Sequence, residues 1–199
     1  MNYSQNVLKR DKILRVLIET LEIDERPSSP SVYPELIKIV IGRNTDAQLS
    51  RQVQSNFEQY FGPNPSLQRI LRMRPDELKK IGLSRSTASC IRNIAIHHHA
   101  HPELWRDISS QSSDLIQRQL TKIKGLSVVD VQRLLIMALQ RPDIFPENDP
   151  ELRTAMVELY RLSGSENEIT HQMAVISHEW APYRSFAVRY LWKWLYSRG

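Results

Sequence analysis

Cysteine is nearly absent. The 199 residues contain only Cys90, which excludes an internal disulfide, a cysteine zinc site and an iron–sulfur cluster built within the chain. Glycine is scarce too, with six. No run approaches the roughly 20 apolar residues a membrane span requires. The opening stretch MNYSQNVLKRDKILRVLIETLEIDE carries charge through its apolar positions, unlike the core of a secretory signal. Alternation of period two and Asn-Gly hairpin turns are also missing, so no sheet is expected. Hydrophobic residues at 41% and charged residues at 25% are ordinary for a globular chain and exclude wholesale disorder. Lys plus Arg is 27 against 22 Asp plus Glu, a net +5. That balance is compatible with an anionic partner without requiring one. These features describe a soluble intracellular protein in a reducing compartment.

The remaining signals are helical. Leu83, Ala88, Ile91 and Ala95 recur at helical spacing, as do Val131, Leu134, Leu135, Ala138 and Leu139, and again Leu152, Met156, Val157 and Tyr160. Pro75, Pro102 and Pro150 stand where helices should open, because a first-turn residue needs no N–H. Gly62, Gly82 and Gly164 stand where they should end, in the left-handed backbone glycine accepts. The expectation is an all-α chain of about ten short helices in a single domain spanning 1–199, divided into two lobes around a cleft.

Residues 112–153 carry the most information. Ser112 or Ser113 caps a helix running to about Lys122, Gly125 breaks it, and an apolar helix runs from about Val128 to Gln140, where Arg141-Pro142 stops it. The result is a helical hairpin at about 112–140. Its tight turn, Ile123 to Ser127, has backbone N–H groups opening onto a helix, and Lys122 and Lys124 flank it. Such a turn can seat a phosphate; an ordinary αα-hairpin with solvated lysines would read the same way. Beyond it, Asp149 precedes Pro150 as a helix N-cap. A carboxylate there meets backbone N–H groups and the positive end of the helix dipole. A negative charge held at that point suits the stabilisation of a developing cation.

In these residues the chain resembles the helix-hairpin-helix (HhH-GPD) DNA glycosylases, in particular their 3-methyladenine (alkyladenine) branch. That branch has a Leu-Pro-Gly-Ile-Gly hairpin, an apolar helix, a segment like Arg-Pro-Asp-Val-Phe-Pro and then its catalytic aspartate. The counterparts here are Ile123 to Ser127, Arg141-Pro142-Asp143-Ile144-Phe145-Pro146 and Asp149. Gly82-Leu83-Ser84-Arg85 resembles a Gly-Leu-Ser segment upstream. Trp180-Ala181-Pro182-Tyr183-Arg184-Ser185 resembles a Trp-x-Pro-Tyr-Arg-Ser ending, and Leu36 to Gly42 the segment that leads into a Gln-Gln pair. The likeness runs from about residue 11 to 195.

The resemblance implies a monofunctional enzyme that flips alkylated purines (3-methyladenine or 7-methylguanine type) out of duplex DNA in base excision repair and hydrolyses the N-glycosidic bond. Asp149 would be catalytic, with Trp180 and Tyr183 at the base pocket. Arg43 and Asn44, in place of the Gln-Gln pair, would sit at the lesion gap, and Lys122, Lys124, Gly125 and Ser127 would hold a DNA phosphate. Ser127 replaces the second hairpin glycine and Lys124 the proline. Val129 stands where the bifunctional branch has its lysine, so no Schiff base is expected. In this family the hairpin carbonyls can hold a monovalent cation; no other cofactor is implied, and a monomer is expected, in a bacterial cytoplasm or a eukaryotic nucleus. A degenerate member that binds damaged DNA without efficient excision is the alternative. His97, His98, His99 and His101 read as a frayed, solvated helix end, with metal ligation the lesser reading. Cys90 and Trp105 read as core, as do Tyr183, Phe186, Tyr190 and Trp194 by their helical spacing.

Overall fold

The computed structural model of the protein describes residues 3–23, 32–43 and 47–198. Among these the regular elements are helical: α1 (Tyr3–Leu8), α2 (Lys12–Thr20), α3 (Val32–Gly42), α4 (Ala47–Phe61), α5 (Leu67–Leu71), α6 (Pro75–Ile81), α7 (Arg85–Ala100), α8 (Pro102–Arg106), α9 (Ser113–Leu120), α10 (Val128–Met137), α11 (Pro150–Tyr160), α12 (Glu166–His178) and α13 (Arg184–Tyr196), with a 3-10 turn at Ile108–Ser110. The chain forms two compact units. One comprises α3 to α10; the other comprises α1, α2 and α11 to α13.

The helix starts follow from side-chain chemistry. Ser84, Ser112, Ser127, Asp149 and Ser165 each accept a backbone N–H of the first turn with their own side chain. Each such cap contributes about 1 kcal/mol. Pro75, Pro102 and Pro150 open their helices as the sequence predicts.

The stops are less regular. Gly62 and Gly82 take the left-handed backbone after α4 and α6, at φ 81° and 88°. The helix ahead of Gly164 has already ended at Tyr160, where Arg161 adopts the left-handed conformation itself at φ 53°. Helix α10 likewise stops at Met137, short of Gln140, whose own φ is 49°.

In the α3–α10 unit, the apolar helix α3 is the centre. Leu36, Ile37, Val40 and Ile41 are buried, and α3 packs on α4, α7 and α10. Ile91, Ile94, Leu134 and Leu135 close the core. At about 1.5–3 kcal/mol for each fully buried Leu or Ile, these positions hold the helix pair that carries the hairpin. In the other unit, α13 packs on α11 and α2, burying Leu14, Leu17, Leu152, Met156, Val188 and Leu191.

The histidine run is only in part the solvated helix end expected: His99 and His101 are exposed, while His97 and His98 are partly buried. Helix α7 continues to Ala100. His98 stacks on Tyr33 at 4.3 Å, and His97 Nδ1 accepts the Trp105 indole N–H at 3.2 Å. The aromatic surface of Tyr33 and Trp105 draws His97 and His98 partly inward. Burial depresses the pKa of both His97 and His98 below the ordinary imidazole value. Among the described residues, no group of three or more His, Cys, Asp or Glu side chains is arranged to hold a metal ion.

Candidate active site

The hairpin connects α9 to α10 through Thr121–Ser127. Gly125 has φ 93°, and a Cβ there would lie 3.3 Å from the Cβ of buried Cys90. Backbone conformation and close approach therefore both require glycine. Burial pushes the Cys90 thiol pKa up, which keeps it an inert packing group.

Side chains from neighbouring helices hold the turn. Asn93 Nδ2 of α7 donates to the carbonyl of Lys124 at 2.8 Å. Arg43, just after α3, donates Nη1 to the carbonyl of Gly125 at 2.9 Å and to Asp130 Oδ2 at 3.0 Å. Asp130 is only 3% exposed and forms a capping box with Ser127. Its Oδ2 accepts the Ser127 backbone N–H at 2.8 Å and hydroxyl at 2.7 Å, while its own N–H reaches Ser127 Oγ at 3.1 Å.

Two expectations change here. The Ser127 N–H, expected to serve a phosphate, is already bound to a carboxylate. Arg43, expected at a lesion gap, is turned onto the hairpin, because buried Asp130 needs a countercharge. Asn44 lies outside the described residues. Lys122 and Lys124 are exposed beside the turn. The first-turn N–H groups of Val128 and Val129 have no acceptor within an α-helix, which leaves them for a ligand.

In the other unit the site centres on Asp149. Its Oδ1 accepts the Leu152 N–H at 2.8 Å and the Trp192 indole N–H at 3.4 Å. The residue is 0% exposed. The loop before it is tied to the start of α13. Arg184 binds Asp143 through two parallel contacts, Nε to Oδ1 at 2.7 Å and Nη2 to Oδ2 at 2.8 Å. Ser185 donates its backbone N–H to the Pro142 carbonyl at 3.0 Å and accepts the Ile144 N–H on Oγ at 2.8 Å. The two motifs that seemed separate in sequence are thus one structure: α13 holds the loop that delivers Asp149.

The Arg184 guanidinium holds the Asp143 carboxyl below the usual carboxylate range. The contribution of such a depressed group is complete above its unfolded value, near 3.9, and is lost as pH falls through the folded value. Both partners are about a third exposed, so solvent screening limits the pair to about 1 kcal/mol. Asp143→Asn is expected to lower the melting temperature at neutral pH by roughly 2–4 °C. The deficit should shrink as the pH is taken below the ordinary aspartate range. Melting curves from neutral to acid pH check this, and a deficit that persists unchanged at every pH would assign the loss to packing instead.

Trp180 sits in the core. Only 1% of it is exposed, its indole N–H goes to Asp11 Oδ2 at 3.0 Å, and Phe145 and Tyr160 flank its ring. Asp11 also accepts the Tyr160 hydroxyl at 2.8 Å and caps α2 through Oδ1. Burial and the Asp11 charge raise the Tyr160 pKa, so this phenol remains a donor. Sequence reasoning missed Asp11, whose only local signal was its place before α2. Tyr183 is half-buried, edge to face with Phe186 at 6.2 Å, and follows the cis Ala181–Pro182 bond. Of the four aromatics expected in the core, only Tyr190 is fully buried; Tyr183, Phe186 and Trp194 are partly open.

Residues 37–178, which contain both the hairpin and Asp149, match the HhH-GPD superfamily of base excision DNA repair proteins. The chain belongs to that superfamily. It is 29% identical over 167 residues to DNA-3-methyladenine glycosylase 1 of Schizosaccharomyces pombe, covering 81% of this chain and 71% of that protein. It is 24% identical over 179 residues to the DNA-3-methyladenine glycosylase of Bacillus subtilis, covering 84% of this chain but only 58% of that protein. The S. pombe 3-methyladenine DNA glycosylase Mag1, solved in complex with abasic DNA, superposes with a TM-score of 0.84 at 23% identity over 96% of both chains. The HhH-GPD fold expected from the sequence is therefore the one observed. Among the described residues, no helix is long and apolar enough to cross a membrane.

Proposed function

We propose that this HhH-GPD protein is a monofunctional DNA glycosylase that removes alkylated purines from duplex DNA. The carrying observation is Asp149, a buried carboxylate fixed at the mouth of α11 by a peptide N–H and an indole N–H, following a loop locked by Arg184 and Ser185. The names of the similar proteins support the substrate class.

The target nucleotide is flipped out of the stack. The C1′–N bond then breaks, its electron pair leaves with the base, and positive charge builds on the sugar. Asp149 stabilises that charge. A water oxygen bonds to C1′ and gives up a proton, leaving an abasic site. Tyr183, a partly open aromatic, offers a face to a cationic base. The hairpin takes a phosphate on the N–H groups of Val128 and Val129, with Lys122 and Lys124 adding charge.

A panel of single-lesion duplexes, scored for base release and for binding, tests the reading. The alternative, damage binding with little excision, draws on one observation: Asp149 has no accessible surface in the free chain, so nucleotide entry must displace what covers it. Tight binding of every lesion without base release would favour that alternative.

Two expectations accompany the assay. The product strand should stay intact until alkali is added, because Val129 cannot form an imine; borohydride trapping of a covalent adduct would contradict this. Lys124→Glu should weaken binding to all duplexes alike and reduce the slope of log K against log[salt] by about 0.9. A loss confined to particular sequences would mean that Lys124 reads bases.

A further inference from the structure

The hairpin of this superfamily is expected to hold a monovalent cation on its carbonyls, and the residues present here do not fit one. The Ile123 carbonyl accepts the Leu126 N–H at 3.0 Å, the Lys124 carbonyl accepts Asn93 Nδ2 at 2.8 Å, and the Gly125 carbonyl accepts Arg43 Nη1 at 2.9 Å. Three consecutive carbonyls of the turn therefore already face N–H donors, and one of those donors is itself a cation.

We infer that Arg43 is the hairpin's own cation, a positioning residue that makes phosphate binding by this turn independent of any bound metal ion. Its guanidinium neutralises Asp130 and fixes the Gly125 carbonyl in the same stroke. Asp130 in turn holds the Ser127 N–H, which leaves the first-turn N–H groups of Val128 and Val129 for an anion. Without Arg43, buried Asp130 keeps an unpaired charge at the phosphate seat, which both costs stability and opposes an anion. The sequence carries the same logic. Arg43 stands where the related enzymes have glutamine, Asp130 is a carboxylate in an apolar helix, and Ser127 replaces a glycine; the three residues form one network.

The inference rests on the hairpin's being a DNA-binding element, and the test separates the two. Affinity for an abasic-site duplex is measured at constant ionic strength in potassium, sodium and tetramethylammonium chloride. The wild-type chain is expected to bind equally in all three. Clearly tighter binding in potassium or sodium than in tetramethylammonium would overturn the inference, and this arm needs no variant. Arg43→Ala is expected to bind several-fold more weakly in tetramethylammonium and to recover part of the loss in potassium or sodium, which can enter beside the uncovered Gly125 carbonyl and Asp130 carboxylate. Arg43→Lys should retain the indifference to cation identity. A loss in Arg43→Ala that is equal in all three salts would reduce Arg43 to a packing brace and overturn the assignment. Lys124→Glu, run alongside, tests the underlying reading: if it leaves affinity unchanged, the hairpin does not contact DNA, and the fault lies there rather than with Arg43.

Discussion

Asp149→Asn is expected to abolish base release while leaving affinity for lesion-containing DNA within a few-fold of wild type. Asparagine is as good an N-cap as aspartate, so its side-chain oxygen can keep the Leu152 N–H. The lost element is the full negative charge. In a site where Asp149 is 0% exposed, bulk water does little to screen that charge, and its effect on a developing sugar cation is correspondingly large. A fall in single-turnover rate on the order of a hundredfold or more is expected, by analogy with the removal of one preorganised electrostatic group. Neutralising the N-cap gives up the favourable interaction of the charge with the helix N-terminus, roughly 0.3–1 kcal/mol, so thermal melting is measured alongside and should fall only slightly. Release at the wild-type rate by a folded variant would remove Asp149 from the chemistry.

Single-turnover release of 3-methyladenine or 7-methylguanine from methylated DNA should outpace release of neutral lesions such as hypoxanthine or ethenoadenine. Among the groups that hold Asp149 are a peptide N–H and the Trp192 indole. Neither gives up a proton near neutral pH, so neither serves as a general acid. His97 and His98 of α7 are engaged with Trp105 and Tyr33. A leaving base that arrives already activated is therefore expected to go fastest. A cationic alkylpurine is so activated: its ring charge is discharged as the C1′–N bond breaks. A neutral lesion must be protonated first, and general-acid assistance typically contributes 10²–10⁴-fold in rate, which sets the rough scale of the expected preference. Saturating enzyme removes binding differences from the comparison. Faster release of any neutral lesion than of every cationic one would show that the site supplies a proton donor.

The sequence by itself determined the helical architecture, the hairpin and the position of Asp149. These are properties of local chemistry. Apolar spacing selects helix faces, Ser112, Ser127 and Asp149 are caps whatever surrounds them, and Gly125 needs its left-handed backbone within a few residues of chain. Tertiary structure alone decided how those parts are held. Arg43 and Asp130 are 87 positions apart, Arg184 and Asp143 are 41 apart, and Asp11 reaches Trp180 across 169. No periodicity or spacing rule links residues at such distances. Whether an arginine probes DNA or braces a turn depends on which buried carboxylate lies within reach, and only the fold brings the two together. The same holds for Trp180, His97 and His98, whose burial depends on neighbours contributed by other helices.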